Sequence, residues 1–364
     1  MVSSPRAISA LPRHLGVAYA LLIVYACLNP FIGWRMPGLP VLDYLAAPWP
    51  RYYTGLDLSF NVLGFLPLGF FLAPVAGERM RAGWAVLVIT LFGALLSFGL
   101  ETLQNFLPTR VASNVDLGCN TAGAFLGALA GVIWGPRVFA RRGGLHRWRQ
   151  RRILPGSRGD LGLVLMGLWI LAQLSPEASL FASGDLRSLF HLPPPLPFDP
   201  IRYMRVEAAV TATSLVAVGL VARQTMRRPG YGALLTLILA GIGAKALATA
   251  SFFLPGNPLH WGTPGASTGA WVGLLLLALT LCLPAPWRGS AASLALLAAT
   301  ALANLMPESP YQEVGSLIRE GHFLNFHGVT QLVGALWPFL ALAHLSNLGR
   351  KTAEHPAGHP GPPL

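Results

Sequence analysis

Ten apolar blocks constrain this chain more than any other feature in it. They fall at about 15–33, 58–76, 83–106, 116–135, 160–175, 206–222, 231–254, 268–284, 289–306 and 328–346. Most are about 17–25 residues long, the length an α-helix needs to cross a hydrocarbon core of about 30 Å. A backbone in lipid must satisfy its own hydrogen bonds, and open strands cannot do so. The expected fold class is therefore all-α: a polytopic transmembrane helix bundle of about ten spans. Composition points the same way. Of 364 residues, 53% are hydrophobic and 11% charged, whereas a soluble domain carries roughly 25% charged residues. The first block follows Arg6, Arg13 and His14 and so resembles a secretory signal. Its apolar run from Leu15 to Ile32 is long for one, and no small-x-small cleavage site follows. It is expected to remain as the first span.

Lys and Arg are shared unevenly between alternate loops. One side holds Arg6, Arg13, Arg79, Arg81, eight arginines between Arg137 and Arg158, Arg223, Arg227, Arg228, Arg288, Arg350 and Lys351, a total of 18. The other holds Arg35, Arg51, Arg110, Arg187, Arg202, Arg205 and Arg319, a total of 7. This bias predicts that both termini are cytoplasmic. It also accounts for the net charge of +12, as a topology signal near anionic headgroups, so no nucleic-acid partner is expected. Cys27, Cys119 and Cys282 all sit in apolar blocks and offer neither a disulfide framework nor metal spacing. No metal and no cofactor is expected.

The expected organisation is a four-span unit at 1–136, a basic cytoplasmic loop at 137–159, six further spans at 160–349 and a disordered tail at 350–364. Between Ser175 and Pro200 a long external loop is expected, stiffened by the PPPLP run. Trp34, Trp49, Tyr52, Tyr53 and Trp261 fall near external boundaries and read as interfacial belt residues.

Polar residues inside the first unit stand out against this background. The second span opens with Asp57 and Asn61, the third closes with Glu101, Gln104 and Asn105, and the fourth opens with Asp116 and Asn120. Asp57/Asn61, Glu101/Gln104 and Asp116/Asn120 are spaced three or four apart, so each pair shares a helix face. The derived topology puts all three pairs at one extracytoplasmic depth, with Arg110 in the intervening loop. Intramembrane polar groups face a bundle interior or a wet cavity. One polar cluster from three helices is therefore expected. Gly123, Gly127 and Gly131 follow on the fourth span as a small-xxx-small stripe for close helix packing, and Pro67 interrupts the backbone ladder of the second. Two accounts of the cluster stay open. In one, Arg110 pairs with Asp116 or Glu101 and the amides bridge helices. In the other, the residues form a ligand or catalytic site.

The ordered set Asp57, Asn61, Pro67, Gly69; Glu101, Gln104; Arg110, Asp116, Asn120, Gly123, Gly127 resembles the VanZ-like family over about residues 15–135. The resemblance implies a multi-pass protein of the bacterial cytoplasmic (inner) membrane and a cell-envelope role. The family's namesake role is low-level resistance to the glycopeptide teicoplanin. The expected function is binding or moving a lipid-linked or glycan envelope component at the extracytoplasmic face, linked to such antibiotic resistance or to exopolysaccharide assembly. Its partners would be membrane lipids and a lipid-linked precursor. Asp57, Asn61, Glu101, Gln104, Arg110, Asp116, Asn120 and Lys245 are the candidate binding residues. The alternative is an intramembrane enzyme using Glu101 or Asp116 as acid/base with Arg110 holding an anion. No serine–histidine, metal or phosphate-loop signature supports a defined reaction. Lys245 lies deep in its span, where a lysine either snorkels or serves transport, with Glu207 as its expected partner.

Overall fold

The computed structural model describes residues 8–38, 40–49, 55–140, 144–190, 192–227, 230–252, 258–307 and 322–353. They form thirteen helices: α1 (Leu11–Leu28), α2 (Asp43–Ala46), α3 (Gly55–Ala76), α4 (Ala82–Gln104), α5 (Asn114–Phe139), α6 (Gly144–Arg152), α7 (Ser157–Ala172), α8 (Leu186–Leu189), α9 (Pro200–Thr225), α10 (Tyr231–Phe252), α11 (Pro264–Leu281), α12 (Ala285–Leu305) and α13 (His322–Ala353). Among the described residues there is no strand, only the isolated antiparallel bridges Ile8–Ala140 and Ile153–Met226.

Among the described residues eight helices are long and apolar enough to cross a membrane: α1, α3, α4, α5, α9, α10, α11 and α13. The fifth and ninth expected spans are also helical but fall outside this set. The fifth is α7, with 16 residues. The ninth is α12, alanine-rich and carrying Arg288 and Asn304. Much of the apolar surface points outward. Leu87, Leu91 and Leu95 make a ridge along α4 that is 54–60% exposed. A ridge of that kind suits lipid, not water. The chain is a membrane protein.

Two compact units divide the described structure. Unit 1 comprises Met1–Arg151 with Leu324–Val329, and unit 2 comprises Arg152–Phe323 with Thr330–Leu364. In unit 1, α5 lies along α3 and α4, and α1 packs on both of the latter. The α3–α5 contact is backbone on backbone. A Cβ on Gly123 or Gly127 would run into the carbonyl oxygens of Val62 or Leu66, and one on Gly131 would sit 2.8 Å from that of Phe70. The stripe read from the sequence is therefore a packing seam. Dispersion and close approach replace the missing hydrophobic drive between helices in lipid. Pro67 and Pro74 both lie inside α3. The basic segment after α5 is not a simple loop, since α6 occupies most of it.

Unit 2 is centred on α9, which is buried along most of its length and packs against α11, α12, α7 and α10. Asp199 caps α9 by accepting from the Arg202 N–H at 2.8 Å, and Pro200 pre-sets its first turn. Thr263 and Pro264 start α11 in the same way. A second seam joins these two helices. A Cβ on Gly269 would meet the Ala208 carbonyl oxygen, and one on Gly273 would sit 3.0 Å from the Ala208 neighbour four residues on, Ala212.

The segment after α7 differs from expectation. Ser175, Ser179, Leu180, Phe181, Ala182 and Ser183 are all buried, so this stretch is not a solvated loop but irregular backbone packed inside unit 2. Only from Leu192, including the PPPLP run, is the chain mostly exposed. Irregular backbone is tolerated at membrane depth only where protein or a wet cavity supplies its hydrogen bonds. Here side chains supply them. Gln173 Oε1 accepts from the Phe181 N–H at 2.9 Å. Asn304 Oδ1 accepts from the Leu186 and Arg187 N–H groups at 3.1 and 3.0 Å, while its Nδ2 donates to the Gly184 carbonyl at 2.7 Å. Phe181, at φ +63°, stacks on Trp169 with ring centroids 6.0 Å apart. The expected tail from 350 onward begins inside α13, and beyond Ala353 it lies outside the described residues.

Candidate functional site

The polar residues of unit 1 converge where α3, α4 and α5 open onto the segments 29–49 and 105–113. Ser113 caps α5, its Oγ accepting from the Val115 and Asp116 N–H groups at 3.2 and 3.3 Å. Its own backbone N–H has no place in the helix and donates to Glu101 Oε2 of α4 at 2.9 Å. Glu101 thus does from a neighbouring helix what the third residue of a capping box does from its own. A carboxylate there also meets the positive end of the α5 dipole. Glu101 is 3% exposed.

One turn into α5, Asp116 Oδ1 accepts from Asn61 Nδ2 of α3 at 2.6 Å. Asn120, on the same face, donates from Nδ2 to Ser97 Oγ of α4 at 2.9 Å. These two bonds tie α5 to α3 and to α4 just above the first seam glycine. Gln104 Nε2 donates to the Cys27 carbonyl at the end of α1, at 3.0 Å. Arg110 donates from Nε at 3.1 Å, and from Nη2, to the Asn29 carbonyl. Burial lowers the Arg110 pKa from its usual value, and the nearby Cys27 opposes that shift.

Of the residues named from the sequence, Asn61, Glu101, Asp116 and Asn120 are therefore held by hydrogen bonds between the ends of α3, α4 and α5, while Gln104 and Arg110 reach back to the end of α1. The Asp57 side chain lies outside the described residues, as do Tyr52 and Tyr53. One of the two open accounts paired Arg110 with Asp116 or Glu101; its hydrogen bonds run instead to a backbone carbonyl, because the turn that carries it lies against the end of α1. Outside the Asn61–Asp116 pair, sequence reading missed the other half of each bond. Ser97 is a small polar residue in an apolar run, and Ser113 is an ordinary cap. The carbonyls of Cys27 and Asn29 carry no sequence signal. It also missed the strap over the mouth. Asn105 Nδ2 donates to the Val41 carbonyl at 2.7 Å, Asn114 Nδ2 donates to that of Ala47 at 2.8 Å, and the Tyr44 hydroxyl lies 3.1 Å from Thr102 Oγ1. Trp34 and Trp49 on this strap are exposed, as belt residues would be, while Trp261 in unit 2 is half-buried.

Lys245 belongs to unit 2 and not to this mouth. Its Nζ donates to the Ser175 and Ala178 carbonyls at 2.5 and 2.8 Å. The expected pairing with Glu207 is not made. The Glu207 carboxylate instead accepts from Thr263 Oγ1 at 2.6 Å. The irregular backbone beside α10 offers Lys245 two carbonyls without asking the side chain to snorkel.

Fold and site together define a helical membrane protein whose N-terminal unit joins α3, α4 and α5 through buried polar side chains. The VanZ/LLP1 family model matches residues 17–135; this N-terminal part, about a third of the chain, is VanZ-like. No curated protein and no solved structure matches the chain.

Proposed function

We propose that the VanZ-like unit binds, or moves, a lipid-linked or glycan component of the cell envelope through the polar mouth at the extracytoplasmic face of a bacterial cytoplasmic membrane. The observation that carries this reading is the state of Arg110. Among the described residues its guanidinium is bonded to one neutral carbonyl through Nε and Nη2, which leaves Nη1 as a charged donor on a half-buried side chain. A guanidinium is the side chain best suited to phosphate or carboxylate. The amides of Asn61 and Asn120 and the carboxylates of Glu101 and Asp116 would meet sugar hydroxyls in the same opening. The long helices around it offer lipid-facing apolar ridges along which a polyprenyl chain would lie.

Reconstituted full-length protein tests this directly. Vesicles of phosphatidylethanolamine and phosphatidylglycerol would carry a fluorescent polyprenyl phosphate, and binding would be read by quenching from the protein's tryptophans. Wild type should bind saturably. Arg110→Gln should weaken binding at least about tenfold, the loss of one charge-assisted bond of about 1.5–3 kcal/mol. Equal binding by the variant would remove the reading. Envelope-antibiotic susceptibility of a strain carrying the same variant extends the test to glycopeptide resistance or exopolysaccharide assembly.

A further inference from the structure

Acidic residues are missing from a long stretch of unit 2. No Asp or Glu lies between residues 208 and 307, while Arg223, Arg227, Arg228, Lys245 and Arg288 all do. The end of α9 and the start of α12 therefore carry positive charge with no counter-charge of their own. α12 packs on α9, and the packing brings these two ends together: a Cβ on Gly289 would sit 3.6 Å from Gln224 Nε2. Arg223 and Arg288 each stand one residue before a partner in that contact. Two guanidiniums, one from each helix, thus share the arginine-rich corner of unit 2. Their like charges repel each other.

Neither side chain is neutralised. Among the described residues Arg223 donates from Nη1 to the Met226 carbonyl at 3.2 Å, and Arg288 donates from Nε to the Leu283 carbonyl at 2.8 Å. Neither is bonded to a carboxylate. Both are half-buried, so water screens them only in part. Arg223 sits in the last turn of α9, where the helix dipole suits a cation, but Arg288 sits in the first turn of α12, where it does not. Both Nη groups of Arg288 stay free, as do Nε and Nη2 of Arg223. Donors in such forks suit a phosphate. The surroundings indicate where that phosphate comes from. Leu283 and Trp287 flank Arg288 and are 36% and 66% exposed, and Tyr231, which opens α10, is 66% exposed. Exposed aromatic rings beside arginines mark the depth at which headgroups meet acyl chains.

We propose that Arg223 and Arg288 form a lipid site that holds the phosphodiester of an anionic phospholipid where the end of α9 meets the start of α12. The phosphate offsets the repulsion between the two guanidiniums and takes up their idle donors. The acyl chains then run past Leu283 and Trp287. The lipid ties α12 to α9 where the protein supplies no ion pair of its own. This is narrower than the attraction of every basic loop to a negative leaflet, because it needs these two side chains together. The site belongs to unit 2 and is independent of the envelope-binding reading of Arg110.

Native mass spectrometry of delipidated full-length protein in detergent tests this, with dioleoylphosphatidylglycerol as the probe and dioleoylphosphatidylcholine as the headgroup control. Wild type should bind its first phosphatidylglycerol at least about tenfold more tightly than Arg223→Gln/Arg288→Gln does, the loss of one charge-assisted bond. Phosphatidylcholine should bind both alike. Arg79→Gln/Arg81→Gln removes the same charge from exposed residues between α3 and α4 and should keep the wild-type affinity for the first lipid. Equal losses in the two double variants would mean general charge attraction and overturn the site. Phosphatidylglycerol binding indifferent to Arg223→Gln/Arg288→Gln overturns it too. If inorganic phosphate in large excess displaces the lipid from wild type, the ligand is free phosphate and the lipid assignment fails. Should the double variant not give a monodisperse peak on size exclusion, Arg288→Gln alone decides by the same comparison.

Discussion

Each unit sets glycines at every fourth position of one helix and lays it backbone to backbone on a neighbour: Gly123, Gly127 and Gly131 of α5 on α3, and Gly265, Gly269 and Gly273 of α11 on α9. The units part company in how they use polar side chains. In unit 2, Gln173, Lys245 and Asn304 reach into the irregular stretch 175–187 and satisfy its backbone. Without them that stretch could not stay buried. In unit 1, Asn61 meets Asp116 and Asn120 meets Ser97, side chain to side chain, between helices whose own backbones are already satisfied. Bonds of that second kind contribute only about 0.6 kcal/mol on average in membranes. The difference teaches that Gln173, Lys245 and Asn304 of unit 2 are needed by the fold, while part of the polarity in unit 1 exceeds what the fold needs.

Substitutions can break or sharpen this contrast. The largest effect is expected where the units agree. Gly127→Leu would drive a side chain into the Leu66 carbonyl, and Gly269→Leu one into that of Ala208. Each should lose more than about 3 kcal/mol and fail to give a monodisperse peak on size exclusion. Next comes Lys245→Met, which leaves the Ser175 and Ala178 carbonyls without a donor. It should lose about 3 kcal/mol in thermal unfolding, with faster hydrogen exchange across 175–184. Asn304→Leu removes the acceptor of the Arg187 N–H and the side-chain donor to the Gly184 carbonyl and should lose about 2 kcal/mol by the same assay. The smallest effect is expected for Asn61→Ala and Asn120→Ala, at about 0.6 kcal/mol each. Should Asn61→Ala destabilise as much as Lys245→Met, the contrast between the units disappears.

Much of unit 1 was legible because its information is local. The fourfold glycine spacing names the seam, and Asp116/Asn120 and Glu101/Gln104 name their faces. Unit 2 was less so. The block at 160–175 reads as a span, yet α7 stops at Ala172, and the buried backbone that follows depends on Asn304, more than a hundred residues away. Gln173 and Asn304 were visible as amides in apolar runs, but nothing in the sequence says which backbone they serve. Lys245 was recognised as unusual and given the wrong partner for the same reason: a carboxylate can be read from a sequence and a bare carbonyl cannot.

The account turns on the polar mouth of unit 1 opening to the extracytoplasmic side. Val111, 86% exposed beside Arg110, reports on it. A Val111→Cys variant with Cys27, Cys119 and Cys282 replaced should react with a membrane-impermeant maleimide added outside spheroplasts. Reaction only in inside-out vesicles would put the mouth on the cytoplasmic face and contradict the account.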